Sequence, residues 1–552
     1  MEEKPWFRFW PEGLPRSLEY PEVPLHDLLR QAVDKHPEAS AIVFEGRKMS
    51  FRELDELSDR VAAALVDLNV EKGDRVALLL PNVPQFPIGF YGALKAGAVV
   101  VPCNSLYRER ELRYQLNDSG AETIIALDLL YSTVEKIRSE TKLRSAAVTN
   151  VRDYLPSAKR IIGPLFKKEL RKRTFPDTLN FFDLIKRPPR PPKVEIDPKE
   201  DLAVLQYTGG TTGVSKGAML THGNLVSNTL MVSNWLPFTE RDIHLAVLPF
   251  FHIFGLTCAM TAPLSAGNTI IPLPRFTAKK VLEVIQSYRV TLFCGVPTMY
   301  VALINHPDTS RYDLTSIRKC VSGAAPLPLA VMNKFNELTN GNLVEGYGLT
   351  EASPVTHCNP LDKKEKVRSG SIGIPFPDTD SRIVDLDKSE KEVEPGEAGE
   401  LAIKGPQVMK GYWKMSEETE NVLRGDWLLT GDIAKIDEDG YFYIVDRKKD
   451  MIDASGLKVW PREVEDVLYE HPGVREAAVI GVPDPYRGET VKAFVSLKEE
   501  YKEKIDKEEL INFCREKIAS YKAPSLIEFK DELPKTLIGK ILRRALREKE
   551  SQ

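Results

Sequence analysis

Apolar positions along this chain follow two alternating rhythms. Short runs at 75–80, 99–103, 123–127 and 202–205 are apolar at nearly every position, as expected of strands buried on both faces. Between them, the window 54–68 carries its apolar residues at helical spacing, and Pro81-Asn82 marks a turn. Strands that alternate with helices predict an α/β protein built from helix-covered β-sheets. The pattern contains no internal repeat.

Beyond about residue 446 the texture changes. The spacing predicts helices over 461–469, 508–517 and 542–548, and strands over 476–482 and 491–497. That is a compact α+β unit of about 100 residues, large enough for a core of its own. Two domains follow, a large one over 1–447 and a small one over 448–552. The charged run Asp446-Arg447-Lys448-Lys449-Asp450 sits at their junction and reads first as a solvated turn. Within the large domain, Arg-Pro-Pro-Arg-Pro-Pro-Lys at 187–193 is a stiff linker, because consecutive prolines bar helix and ladder bonding.

Composition narrows the class. Of 552 residues, 42% are hydrophobic and 28% charged, a soluble globular balance, and the formal charge of −4 gives no reason to expect nucleic acid. Six cysteines without C-x-x-C spacing suggest neither a zinc site nor a disulfide framework, and point to a reducing cytoplasm. The start, Met1-Glu2-Glu3-Lys4-Pro5, lacks the apolar centre of a signal peptide. No run approaches the roughly 20 apolar residues of a membrane span. The expected location is cytoplasmic, with peripheral contact at the inner membrane face left open.

One stretch carries the chemistry. Thr208-Gly209-Gly210-Thr211-Thr212-Gly213 is followed by Lys216, directly after a strand-like run. Glycines let backbone amides approach an anion, hydroxyls add donors, and the lysine adds a mobile positive charge. The loop is suited to polyphosphate, yet it is not a P-loop, because Lys216 follows Ser215 and precedes Gly217.

Four further segments join it: 322–326 (Ser-Gly-Ala-Ala-Pro), 345–351 (Glu-Gly-Tyr-Gly-Leu-Thr-Glu), 427–432 (Trp-Leu-Leu-Thr-Gly-Asp) and 534–540 (Pro-Lys-Thr-Leu-Ile-Gly-Lys). In this order and at these separations, the chain resembles the adenylate-forming superfamily of acyl-CoA synthetases, peptide-synthetase adenylation domains and luciferases. The match runs from about residue 25 to 546, and the segments 206–217 and 443–465 resemble the long-chain fatty-acyl-CoA ligases most. The resemblance implies a large domain of helix-covered sheets plus a distorted β-barrel, and a small mobile C-terminal domain. It also implies a reaction in two halves: a carboxylate and ATP give acyl-AMP and pyrophosphate, and then the thiol of CoA displaces AMP.

Site roles follow from the same resemblance. Thr208, Gly209, Gly210, Thr211, Thr212, Gly213 and Lys216 would hold the β- and γ-phosphates. Glu351 would bind Mg²⁺ with help from the Thr208 and Thr350 hydroxyls. Tyr347 would stack on adenine between Gly346 and Gly348, beside Glu345, with Gly323, Ala324 and Ala325 keeping that slot narrow. Asp432 would accept both ribose hydroxyls, as suits a two-oxygen acceptor, and Arg447 would reach the ribose or its phosphate. Lys540 would stabilise the first transition state, touching the attacking carboxylate and the α-phosphate. Lys449 occupies the hinge position, and Ser455 and Gly456 would line the path of the CoA thiol. Asp453 stands where many relatives carry lysine, and Ser455 where many carry glycine.

For the acyl group, the segment 248–255 matches the family's pocket lining, with His252 at the carboxylate end and Gly255, Val296, Pro297 and Gly323 as wall residues. Ligases for medium, branched or aromatic acids stay open, as do an acyl-AMP ligase serving a carrier protein, a non-catalytic acyl-AMP or lipid binder, and a homodimer. Between 151 and 193 there are twelve Lys/Arg against four Asp/Glu, with apolar residues interleaved. Such a stretch reads as a surface for anionic lipid head groups. Trp6-Phe7-Arg8-Phe9-Trp10 is a second candidate anchor.

Overall fold

The computed structural model describes residues 4–190, 192–208, 215–386, 391–454, 457–484, 488–502, 504–535 and 541–550. The chain packs as two compact units, each described separately below. The larger comprises Phe9–Asp380 and Lys404–Asp426; the other comprises Met1–Arg8, Ser381–Ile403 and Trp427–Gln552. The expected boundary at 447/448 falls inside the second unit, where it separates two sheets.

Two sheets organise the larger unit. One has eight strands among the described residues, with Arg75–Leu79, Val99–Pro102, Thr123–Leu127 and Ser145–Thr149 running parallel at its centre. These runs are apolar throughout because both faces are covered; all five residues of Thr123–Leu127 are buried. The other sheet has nine strands, with Ile243–Ala246, Leu292–Gly295, Lys319–Ser322 and Asn342–Gly348 parallel and in that spatial sequence. The helix expected over 54–68 begins earlier, as Phe51–Asp67, because Ser50 caps it: its side chain accepts from Glu53 N at 3.0 Å. Thr221 and Asn224 form a capping box that starts His222–Trp235.

In the second unit an antiparallel sheet contains Asp380–Val384, Gly399–Lys404, Trp427–Ile436 and Phe442–Arg447. The C-terminal α+β part has its own core, where Val464, Leu468, Val479, Val495 and Leu510 pack together. Its central hairpin pairs Val474–Asp484 with Gly488–Leu497. Both strands outrun the expected 476–482 and 491–497, because the ladder continues through Pro483↔Glu489 to Asp484↔Gly488. Apolar patterning cannot report such polar ladder ends.

The N-terminal aromatics are packed away rather than presented to a membrane. Trp6 is buried against Phe442, with ring centroids 5.9 Å apart, and Trp10 meets Trp235 edge-on at 5.6 Å. They stabilise the units by covering apolar surface, so the second candidate anchor does not stand.

Candidate active site

The parallel strands of the nine-stranded sheet end in register. Gly295 pairs with Ser322, and Ser322 with Glu345. The segments that follow, Val296-Pro297 and Gly323-Ala324, together with Gly346-Tyr347 at the end of the last strand, therefore emerge side by side at the carboxyl edge. That edge is where open α/β sheets bind ligands.

Packing explains the glycines there. A Cβ on Gly323 would lie 3.0 Å from the Phe254 ring and 3.5 Å from the Gly346 carbonyl, so acyl-segment and adenine-segment residues close on it from two sides. A Cβ on Gly348 would come within 2.3 Å of the Pro354 carbonyl. Ala324 holds a left-handed backbone (φ +66), a strained conformation for a residue with a side chain. Glu345 is buried and accepts from Leu327 N at 3.1 Å, which ties the loop after Gly323 back to the sheet. Tyr347 is half-buried, edge-on to His357 at 6.0 Å.

The acyl segment is held by two side chains from elsewhere in the same unit. Asn82 donates to the Ala246 and Leu248 carbonyls and accepts from Phe250 N, while Gln206 donates to the Phe251 carbonyl at 2.9 Å. His252 caps the short helix Ile253–Leu256, its Nδ1 accepting from Phe254 N at 3.2 Å. An Nδ1 used as acceptor leaves the proton of a neutral ring on Nε2, which makes Nε2 the donor edge. Gly255 is demanded by close approach, since a Cβ would sit 2.1 Å from the Pro249 carbonyl. Val296 is buried, and Pro297, also buried, opens the helix Pro297–Ile304.

The phosphate-loop residues Gly209, Gly210, Thr211, Thr212 and Gly213 lie outside the described residues. Their flanks are placed: Thr208 and Lys216 are paired partners of an antiparallel ladder, and Ser215 Oγ donates to the Thr208 carbonyl. Lys216 forms an ion pair with Glu418 and lies 5.1 Å over the Tyr412 ring. Tyr412 Oη in turn donates to Glu351 Oε1 at 2.7 Å. Burial and the neighbouring Glu351 push the Tyr412 phenol well above its ordinary pKa, so it stays a donor. Met409 N donates to the Glu351 carbonyl, and Trp413 N to the Gly217 carbonyl. The segment 409–413 thus fastens the carboxylate of Glu351, beside Thr350, to the hairpin that carries Thr208 and Lys216.

The chemistry of that donor set fits Mg²⁺. The ion takes one or two carboxylates and shares its remaining positions with water and phosphate oxygens, so a single fixed carboxylate suffices. Among the described residues there is no cluster of three or more His, Cys, Asp or Glu of the kind a dedicated all-protein metal cage uses.

The second unit places the ribose candidates. Asp432 and Arg447 are ladder partners, with Arg447 Nε 3.0 Å from Asp432 Oδ1, and Asp432 is buried. Gly431 turns the strand just before it (φ +72) and donates its N–H to Glu400 Oε1, whose other oxygen pairs with Lys448 at 2.8 Å. The aspartate is held in place by charge and by the ladder. Lys449 belongs to the single turn Lys448–Asp450, and only its backbone is described. Ser455, Gly456 and Lys540 lie outside the described residues.

The junction is not a solvated turn. Asp446 and Asp450 are buried and share Arg543, which reaches Asp446 Oδ1 at 2.9 Å, Asp450 Oδ2 at 3.2 Å and Glu465 Oε2 at 2.6 Å. Arg547 adds a bond to Asp450 at 2.8 Å, and Arg462 N donates to Asp446 Oδ2. Alternating charges in the run disguised two acidic groups whose partners lie nearly a hundred positions downstream.

Asn82, Gln206, Tyr412 and Glu418 are site-supporting residues that reading the motifs alone misses. Asn82 looked like part of a turn, Gln206 opens the segment 206–217 without a role of its own, and Tyr412 and Glu418 carry no motif.

Comparison with known proteins completes the picture. Residues 29–413 match the family described as AMP-binding enzyme, and residues 463–540 match the AMP-binding enzyme C-terminal domain. A long-chain-fatty-acid–CoA ligase of Bacillus subtilis (strain 168) is 47% identical, over 100% of this chain and 99% of its own. One from Escherichia coli O6:H1 is 42% identical, over 99% and 98%. Among solved structures, the anthranilate CoA ligase AuaEII in complex with anthranoyl-AMP superposes with a TM-score of 0.84 at 30% identity, covering 97% of this chain and 98% of that one. The chain belongs to the AMP-binding enzyme family, and within the adenylate-forming superfamily it is an acyl-CoA synthetase.

Proposed function

We propose that the protein is an ATP-dependent fatty acyl-CoA ligase. A carboxylate oxygen of the fatty acid attacks the α-phosphorus of ATP, and the bond from that phosphorus to the bridging oxygen breaks to release pyrophosphate. The thiolate of CoA then attacks the acyl carbonyl and expels AMP, its proton having gone to solvent. The observation that carries this reading is end-to-end identity of 42–47% with long-chain-fatty-acid–CoA ligases, in a chain whose motif segments carry Glu351, Asp432 and Lys540, with Arg447 at the junction.

Each residue has a job in that scheme. Phosphoryl displacement is catalysed mainly by positioning and charge neutralisation. Lys216 and the loop 208–213 hold the β- and γ-phosphates, and Tyr347 covers the adenine. Asp432 takes the ribose hydroxyls with Arg447 beside it. His252, with its proton on Nε2, donates toward the fatty carboxylate. Glu351, assisted by Thr208 and Thr350, would hold Mg²⁺, which when bound neutralises the leaving pyrophosphate. Lys540 stabilises charge in the first transition state. Lys449 is the pivot at the 447/448 boundary by which the small C-terminal domain alternates between the two half-reactions, and Ser455 and Gly456 line the thiol path of the second. The same reading places the protein in the cytoplasm, in peripheral contact with the inner membrane face, and includes a homodimer that sedimentation velocity would test.

A feruloyl-CoA synthase of an Amycolatopsis species, 38% identical over 93% of this chain, keeps aromatic acids as the second reading. Carboxylates from acetate through octanoate to oleate and ferulate, scored by AMP release with CoA present, separate the two. The fatty-acid reading expects the highest kcat/KM on a long alkyl chain, and a preference for ferulate would replace it. Lys540→Ala should abolish pyrophosphate exchange into ATP yet leave thioester formation from supplied acyl-AMP largely intact. Equal loss of both half-reactions would remove the assigned role.

A further inference from the structure

The helix Ser157–Phe166 is ten residues long and buries none of them. Its apolar side chains form one stripe: Ile161 and Leu165 are one turn apart, as are Ile162 and Phe166. They are 73%, 74%, 50% and 81% exposed respectively. Scattered single hydrophobics on a surface need no explanation, but four large ones within six positions of one helix do.

The helix is also fixed in place. Tyr154, Leu155 and Leu170 are buried on either side of it, and a Cβ on Gly163 would meet Leu170 at 2.7 Å, so that face is packed against the buried turn that follows the helix. Lys159 bonds Glu45 at 3.0 Å, and after the helix Arg173 N donates to Asp128 Oδ2 at 2.9 Å. The apolar stripe is turned away from the Gly163 side. Between 157 and 173 there are seven Lys/Arg and one Glu, in a chain whose formal charge is −4. Arg160, Lys167, Lys168, Arg171, Lys172 and Arg173 are exposed. No helix among the described residues is long and apolar enough to cross a membrane.

We propose that Ser157–Phe166 and the basic segment after it dock this protein on an anionic lipid bilayer. Ile161, Ile162, Leu165 and Phe166 enter the headgroup layer, and the flanking lysines and arginines meet lipid phosphates. Apolar insertion combined with charge attraction is how a helix lies in an interface without spanning it, and either signal alone binds weakly. The proposal deepens the fatty-acid reading by naming the surface from which such a substrate is taken, but lipid binding itself does not depend on that reading.

The test uses the full chain with sedimenting vesicles of neutral phosphatidylcholine, and of the same lipid with about 30 mol% phosphatidylglycerol. The protein should partition at least about tenfold more onto the anionic vesicles, and salt well above physiological should reverse this. The double variant Leu165→Glu, Phe166→Glu should lose about tenfold or more in vesicle binding. It should keep turnover of octanoate without vesicles within about twofold, because neither residue belongs to the reaction site. Unchanged vesicle binding by the variant overturns the proposal, as does equal wild-type binding to neutral lipid. So does a dimer that the double variant converts to monomers, since that assigns the face to a second copy of the chain. Vesicle binding without turnover of any alkyl carboxylate would overturn the fatty-acid reading and leave the docking surface standing.

Discussion

The candidate nucleotide-binding residues of the two units are held by different physics. In the larger unit, Gly323, Gly346 and Tyr347 follow or end buried parallel strands. Their geometry is set by close packing, with no room for a methyl group at Gly348 and little at Gly323. In the other unit, Asp432, Arg447, Glu400 and Lys448 are held by ion pairs across a ladder, and the nearby junction by Arg543 among three carboxylates. Shape holds the strand ends of the first, with Glu351 fastened separately by Tyr412, and charge holds the second. Apolar packing is insensitive to salt, whereas ion pairs are screened by it and titrate with pH.

The largest test of the contrast removes charge from the half that packing holds. Glu351→Gln keeps the shape and the bond from Tyr412 but loses the negative charge. Pyrophosphate exchange should fall on the order of 10²–10³-fold, as when one preorganised electrostatic contact is deleted, with the melting temperature unchanged. A matching loss of stability would mean that Glu351 is structural.

Next comes the junction. Arg543→Met leaves Asp446, Asp450 and Glu465 facing one another in a buried site, a change that should destabilise the chain by about 3–5 kcal/mol in denaturant titration. If stability held, the cluster would be better solvated than its burial indicates, and the contrast would weaken. Asp432→Asn is milder. Replacing one charged acceptor costs about 1.5–3 kcal/mol, so KM for ATP should rise about 10- to 100-fold while kcat changes less. A kcat effect with unchanged KM would move Asp432 from ground-state binding to the transition state.

The last test concerns pH, and it shows that the packed side also titrates wherever it buries a histidine. Burial lowers His222 and His244 to about 4 and His357 to about 3. The unfolded chain takes up protons near pH 6.5 that the folded chain refuses, so stability is full above that pH. It falls as pH drops from about 6.5 toward 4, by up to about 1.4 kcal/mol per pH unit for each histidine. Denaturation midpoints at neutral and mildly acid pH would show it, and His222→Gln should flatten the slope.

Much of this was legible before any coordinates. The buried parallel strands announced themselves as nearly unbroken apolar runs, whereas the helix start at Ser50 was missed, because a capping residue lies outside the apolar rhythm. The order of the glycine-rich segments pointed to the family. The supports were hidden for a physical reason. Tyr412 meets Glu351 from 61 positions away, Arg543 meets Asp446 from 97, and Asn82 meets Phe250 from 168. Periodicity reports which face of a single element is apolar, and it contains nothing about which distant polar groups that face will bring together.

The sequence by itself determined the class of chemistry, because five short segments in a fixed order carry the resemblance to the adenylate-forming superfamily to which the chain belongs. Tertiary structure alone decided which of those side chains are held rigid and by what. It buried Trp6 and left Phe166 exposed, although both are large aromatics near basic residues. Trp6 found an apolar partner within its unit. The stripe ending in Phe166 is carried on a helix that is fastened at its Gly163 side to the turn holding Leu170, which leaves the stripe exposed among the described residues.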